Sequence, residues 1–168
     1  MTAPAREVEA VVAFGSNLGD RAATLLAAAR ELADTAGIEL VAMSSVHETA
    51  AVRPEGIDVD APAYLNAVAL VRTTLAPVEL LRVLNAIEHA HGRVRAERWG
   101  DRTLDLDLID VSGTVLVTDD LVLPHPRAHE RDFVLAPWLE IAPDATLPGY
   151  GRIDALLAGL HTATGGTP

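Results

Sequence analysis

Cysteine is absent from this 168-residue chain, which excludes a disulfide framework and a thiolate zinc site. Lysine is absent too, because all thirteen basic residues are arginine. A Walker-type phosphate loop is therefore excluded, since its lysine reaches the terminal phosphates, and so is Schiff-base chemistry on a lysine. No apolar run approaches the length of a membrane span. Met1–Glu7 lack the apolar core of a signal peptide, so a cytoplasmic protein with no membrane partner is expected. Aromatic residues are only 4% of the chain. Positive charge is also scarce: 13 basic residues face 24 acidic ones, for a formal net charge of −11. A field of that sign disfavours nucleic acid as a partner. It would also repel a phosphate-rich substrate unless the site corrected it locally. Residues 93–102 do so, with Arg93, Arg95, Arg98 and Arg102 against Glu97 and Asp101.

Apolar residues make up 49% of the chain, which argues for a folded globule. Its length suits one domain, residues 1–168. Val8–Phe14 reads as a buried strand ending in the turn cluster Gly15–Asp20, with Asp20 or Asn17 as helix cap. Leu25, Ala29, Leu32 and Ala36 have helical spacing, and Gly37 closes that helix. Ile38–Thr49 reads as one strand, 53–62 as a loop, and Tyr64–Thr73 as a third strand. Pro77 opens a helix with the stripe Leu80, Leu84 and Ile87, which Gly92 ends. After a short strand at Thr114–Val117, helices are expected near Arg131–Ile141 and Ile153–Leu160. The order βαββαβ plus C-terminal extras predicts an α+β fold of the ferredoxin-like kind, an antiparallel sheet with helices on one face.

Arg98–Ile109 carries the most chemistry. Alternation from Leu104 to Leu108 fits a strand whose leucines enter the core while Asp105 and Asp107 point the other way. Their Cα atoms would lie about 6–7 Å apart. Two carboxylates held so by a strand can share hard cations such as Mg²⁺, and guanidinium groups nearby can grip phosphate oxygens in a bidentate fork. Metal and arginine without an obvious nucleophile suit phosphoryl transfer.

Five segments in order carry a resemblance: Phe14–Arg21 (FGSNLGDR), Tyr64–Val68 (YLNAV), Gly92–Arg95 (GRVR), Arg98–Ile109, and Leu123–Leu135 (LPHPRAHERDFVL). Together they resemble the 6-hydroxymethyl-7,8-dihydropterin pyrophosphokinase family over about residues 8–145. The resemblance implies a ferredoxin-like fold and transfer of pyrophosphate from ATP to the hydroxymethyl group of a reduced pterin, releasing AMP, in folate biosynthesis. It implies that Asp105 and Asp107 ligate magnesium, with two ions expected. Tyr64 and Phe133 would sandwich the pterin ring, Asn66 would bind its edge, and Thr49 and Val52 would present backbone groups to it. Arg93 and Arg95 would belong to a loop that Arg98 and Trp99 complete. Arg95, Arg98, Arg102, His125 and Arg131, with Asn85, Glu88 and Leu108, would contact ATP. An exposed helix face would account for Asn85 and Glu88 almost as well, since they lie i,i+3. The chain departs from the family's usual pattern at Ala51 and Arg53, where proline and glycine are common, and at Asp101, where proline is usual after Trp-Gly. A monomer is expected. Two rivals share part of the pattern. A nucleotide-sugar transferase would use D-x-D but normally needs a larger fold. A ligand-sensing module would need neither the paired aspartates nor the arginines.

Overall fold

A computed structural model describes residues 5–17, 20–49, 51–53, 56–58, 63–92 and 104–163, with backbone alone for 51–53 and 56–58. In chain order the elements are β1 (Val8–Ser16), α1 (Arg21–Ala33), β2 (Ile38–Met43), β3 (His47–Thr49), β4 (Ala51–Arg53), β5 (Gly56–Asp58) and β6 (Tyr64–Thr73). There follow α2 (Pro77–Ala90), β7 (Asp105–Val111), β8 (Leu116–Val117), β9 (Val122–Leu123), α3 (Asp132–Ile141), β10 (Thr146–Leu147), β11 (Gly151–Arg152) and α4 (Ile153–Ala163). A single 3₁₀ turn, Ala128–Glu130, precedes α3.

The main sheet runs β2-β6-β1-β7, with β3 also on β6 and every pair antiparallel. Asp20 starts α1 by accepting from the Ala23 amide at 3.1 Å, so the aspartate rather than Asn17 is the cap. Helix α1 ends at Ala33, short of Ala36, and Gly37 takes φ +85° after it. Three expectations change locally. Gly15 and Ser16 belong to β1 and not to a turn. The single strand expected over Ile38–Thr49 is broken at Ser44, whose hydroxyl accepts from the Val68 amide at 3.0 Å. Part of the expected loop 53–62 forms the β4–β5 hairpin.

Helices cover both faces of the sheet, a correction to the one-faced arrangement expected. On one face Leu25, Ala29, Leu32, Leu80, Leu84 and Ile87 pack on Val12, Phe14, Leu106 and Leu108. On the other, Val134, Leu135, Trp138 and Ile153 pack on Val11, Ala13, Val68, Leu70 and Ile109. The physical reason is visible in β1 and β6. Val11–Phe14 and Ala67–Val71 are unbroken apolar runs, as strands buried on both sides require. No helix among the described residues is long and apolar enough to cross a membrane.

Because Leu84 and Leu135 are both fully buried, on opposite faces, Leu84→Ala and Leu135→Ala should each cost about 2–5 kcal/mol. Urea unfolding of the two variants checks this. A loss below about 1 kcal/mol for Leu135→Ala, the range of a surface change, would contradict a second packed face.

Candidate active site

The end of the sheet on the α3 face gathers the chemistry. Gly15 of β1 stands in register with Asn66 of β6 on one side and Asp105 of β7 on the other. A Cβ at Gly15 would meet Asn66 Oδ1 at 3.4 Å, Tyr64 Cδ1 at 3.8 Å and Asp105 Cβ at 3.9 Å. The glycine thus leaves a shallow floor between an amide, an aromatic ring and a carboxylate. Thr49 pairs with Tyr64 across β3 and β6. Its Oγ1 accepts from Asn66 Nδ2 at 2.8 Å, which fixes the plane of the amide and turns Oδ1 over Gly15. Asn66 is buried, while Thr49 and Tyr64 are partly exposed.

Asp105 and Asp107 are partly exposed on this same face, and Leu104, Leu106 and Leu108 are buried on the opposite one. The alternation read from the sequence therefore holds. Among the described residues no group of three or more His, Asp or Glu could hold a metal by itself. Two carboxylates on one strand face fit instead a hard cation that takes its remaining oxygens from water or phosphate. Arg131, at the start of α3, brings Nη1 to 3.7 Å from Asp107 Oδ2. Its guanidinium carbon lies 5.6 Å from the centre of the Phe133 ring, a cation–π distance. Burial lowers the Arg131 pKa and Asp107 opposes that effect. Arg131 thus links the aspartates to the helix that carries Phe133.

Beside this cleft a pocket of about 310 Å³ follows the outer edge of β7. Leu81, Leu108, Leu121 and Val122 give it apolar walls, and Asn85, Glu88, Asp107 and His125 add polar groups. Glu88 is only 2% exposed, so the exposed-helix reading fails for it. Its Oε2 accepts from the Leu106 amide at 3.0 Å. The His125 amide donates to the Ile109 carbonyl at 2.8 Å. His125 Nδ1 accepts from the Arg127 amide at 3.2 Å, which leaves Nε2 to carry the ring proton. Burial pushes the His125 pKa down, against the pull of Asp107 and with the help of Arg131 and Arg127.

The structure thus brings Thr49, Tyr64, Asn66, Asp105, Asp107 and Arg131 to one corner, with Phe133 joined to it through Arg131. It brings Asn85, Glu88, Leu108 and His125 to the adjoining pocket, and Asp107 borders both. Val52 is in β4, paired with Ile57, and its side chain lies outside the described residues. So do Arg93, Arg95, Arg98, Trp99 and Arg102. The role of Gly15 as a floor was not legible in the sequence, because it depends on the register of three strands. The hairpin residues Thr118–Val122 that line the pocket were missed as well. Their signal is faint, a Thr118 side chain that bonds the Leu121 backbone at 3.0 and 3.1 Å.

Paired aspartates at one end of a two-sided sheet, with a pocket of about 310 Å³ beside them, suit a phosphotransferase class of site. Residues 11–143 match the sequence profile of the 7,8-dihydro-6-hydroxymethylpterin-pyrophosphokinase (HPPK) family. The chain belongs to that family. It is 40% identical over 150 residues to the 2-amino-4-hydroxy-6-hydroxymethyldihydropteridine pyrophosphokinase of Haemophilus influenzae, covering 89% of this chain and 91% of that protein. It is 44% identical over 147 residues to the enzyme of the same name from Methylorubrum extorquens, covering 88% and 90%. In fold it resembles a crystal structure of Plasmodium falciparum HPPK-DHPS, wild type with pteroate, at a TM-score of 0.76 and 14% identity. That match covers 99% of this chain and 45% of the other, so the chain spans under half the length of the solved protein.

With Nδ1 occupied by the Arg127 amide, the imidazole of His125 should be neutral near pH 7 and protonated on Nε2. Nitrogen-15 spectra of labelled histidine check the tautomer. A proton on Nδ1 would mean that the turn does not orient this ring.

Proposed function

We propose that this chain is a 2-amino-4-hydroxy-6-hydroxymethyldihydropteridine pyrophosphokinase, and that the corner built on Gly15 and the pocket beside it hold its two substrates. The chain catalyses ATP-dependent pyrophosphoryl transfer to the hydroxymethyl group of 6-hydroxymethyl-7,8-dihydropterin in folate biosynthesis. The observation that carries the placement is Asp107, which lines the nucleotide-sized pocket and also meets Arg131 at the aromatic corner. A group that borders both cavities lies where the phosphates and the acceptor hydroxyl must meet. The sheet order, with α1 and α2 as its crossovers, supports the ferredoxin-like βαββαβ topology.

The pterin ring stacks between Tyr64 and Phe133, since a flat heterocycle gains from both faces. Asn66, braced by Thr49, meets its polar edge, and the backbone at Thr49 and Val52 completes that contact. The base of ATP enters the pocket between Asn85, Glu88 and Leu108, and His125 offers an Nε2–H to a phosphate oxygen. Arg131 and the arginines Arg93, Arg95, Arg98 and Arg102 neutralise phosphate charge, and Trp99 belongs to the pterin side. Asp105 and Asp107 would hold magnesium, two ions in this reading, which shields the triphosphate from the acidic field of the protein. The pterin hydroxyl oxygen attacks the β-phosphorus in line. The bond from that phosphorus to the oxygen shared with the α-phosphate breaks, and AMP leaves. The chain's own contribution is orientation and charge balance. We read residues 1–168 as one monomeric domain of the cytoplasm with its core over about 8–145.

Incubation with MgATP and 6-hydroxymethyl-7,8-dihydropterin should yield AMP rather than ADP. Asp105→Ala and Asp107→Ala should abolish that product while changing stability by less than about 1 kcal/mol, because neither side chain belongs to the core. AMP formation by Asp107→Ala at the wild-type rate would remove the aspartate from the site.

Filling the floor tests the other half. Gly15→Val places a branched side chain between Asn66, Tyr64 and Asp105. Calorimetry should find pterin affinity reduced by about tenfold or more, beyond the 1.4 kcal/mol that tenfold represents, with MgATP binding retained. Equal loss for both ligands would show that the substitution distorts the sheet and not the pterin slot.

A further inference from the structure

Helix α3 crosses this face of the sheet and is fastened at both margins. Its first end meets β7 through Arg131 and Asp107 at 3.7 Å. Its last turn meets the opposite margin through Glu140. One oxygen of that carboxylate accepts from the Ser45 amide at 2.7 Å. The other accepts from Ser45 Oγ at 2.8 Å and lies 3.0 Å from His47 Nε2. These bonds join residues 93 and 95 positions apart in the chain. They fall where the margin is weakest. Ser44–Val46 form the break between β2 and β3, and β3 is three residues long. Held there, β3 sets His47 opposite Asn66 and Thr49 opposite Tyr64. Phe133 and Glu140 are seven residues apart on α3, so they share one stripe of the helix, about 10 Å from end to end.

We propose that Glu140 is a positioning residue, which fixes the distance of α3 from β3 and so the width of the slot between Phe133 above and Tyr64 and Asn66 below. The inference rests on the reading of that slot as the pterin site. Three bonded groups around one carboxylate do not by themselves make a catalytic triad. Ser45 and His47 both turn to the same oxygen, and Ser45 Oγ is 3.5 Å from the histidine nitrogen. The hydroxyl is spent on the carboxylate and is not activated by the ring. The arrangement is a clamp. The Ser45 amide foremost, then His47 and the Ser45 hydroxyl, hold the Glu140 carboxyl down to about 2. A depressed carboxyl pKa means that the clamp is complete above the ordinary value of 4.5 and loosens only as pH falls from there towards about 2. The groups are solvent-exposed, so the effect to be measured is geometric rather than a large gain in stability.

Steady-state kinetics on the full chain test this, with AMP as the product followed. Glu140→Ala should raise the KM for the pterin by about tenfold while the KM for ATP stays within about twofold, the split expected of a change at one substrate's site. Glu140→Gln retains an acceptor for the Ser45 amide and should recover most of the loss. A clamp of purely structural value would lower the melting temperature and leave the pterin KM unchanged, which would overturn the proposal. So would an equal rise in both KM values. Should Glu140→Ala yield too little folded protein, Ser45→Ala removes only the hydroxyl's contacts and keeps the amide's bond to Glu140. A selective rise in pterin KM then supports the proposal, and no change overturns it. The unaltered chain separates the two levels. Failure to form AMP would end the functional reading and the inference with it. Normal turnover with an unaffected pterin KM in the variants would end the inference only.

Discussion

Strand β1 is the constraint from which the site follows. It pairs along its length with β6 and from Ala10 to Gly15 with β7. Its own sequence must therefore be apolar on both faces until the last residues. The run Val11–Phe14 meets that demand, and Gly15 is the first position where the second face is no longer filled by a helix. Hydrogen bonding on both sides leaves no freedom of register, because a slip of one residue would send every side chain to the opposite face. Asn66 and Asp105 are thus held across a glycine with no loop between them. Precision at this corner comes from ladder bonds and not from surface side chains, which suits chemistry that depends on orientation.

The electrostatic arrangement is economical for a chain of net charge −11. Asp107 faces a guanidinium that also lies over an aromatic ring, so the corner already carries a cation where a phosphate would arrive. His125 contributes a neutral donor, kept so by burial. Glu88 is buried and one of its oxygens accepts from a backbone amide, which offsets part of the cost of burying a polar group.

Much of this was legible in the sequence, for identifiable reasons. Tyr64–Thr73 has β-branched and apolar residues bounded by turn residues, and its strand has those limits. The Leu/Asp alternation of β7 gave both the fold of the strand and the side on which its carboxylates lie. The break between β2 and β3 was not legible. No proline or glycine marks it, and it forms because the Ser44 hydroxyl finds the Val68 amide 24 residues away. The second layer of helices was present as a signal, in the unbroken apolar runs of β1 and β6. A short helix near Arg131–Ile141 was expected, but the face of the sheet it covers was not. Glu88 was read as half surface because helical spacing reports neighbours on a helix and not what the helix is pressed against.

The buried bond of Glu88 has a further consequence for the physical state of the protein. Strand β7 is the last in the sheet, and a bare margin of that kind can recruit a strand from another molecule. Here the Leu106 amide is taken by Glu88 and the Ile109 carbonyl by the His125 amide. Groups that line the pocket beside β7 also close the sheet against growth. Side chains that line the pocket therefore also guard the colloidal solubility of the protein.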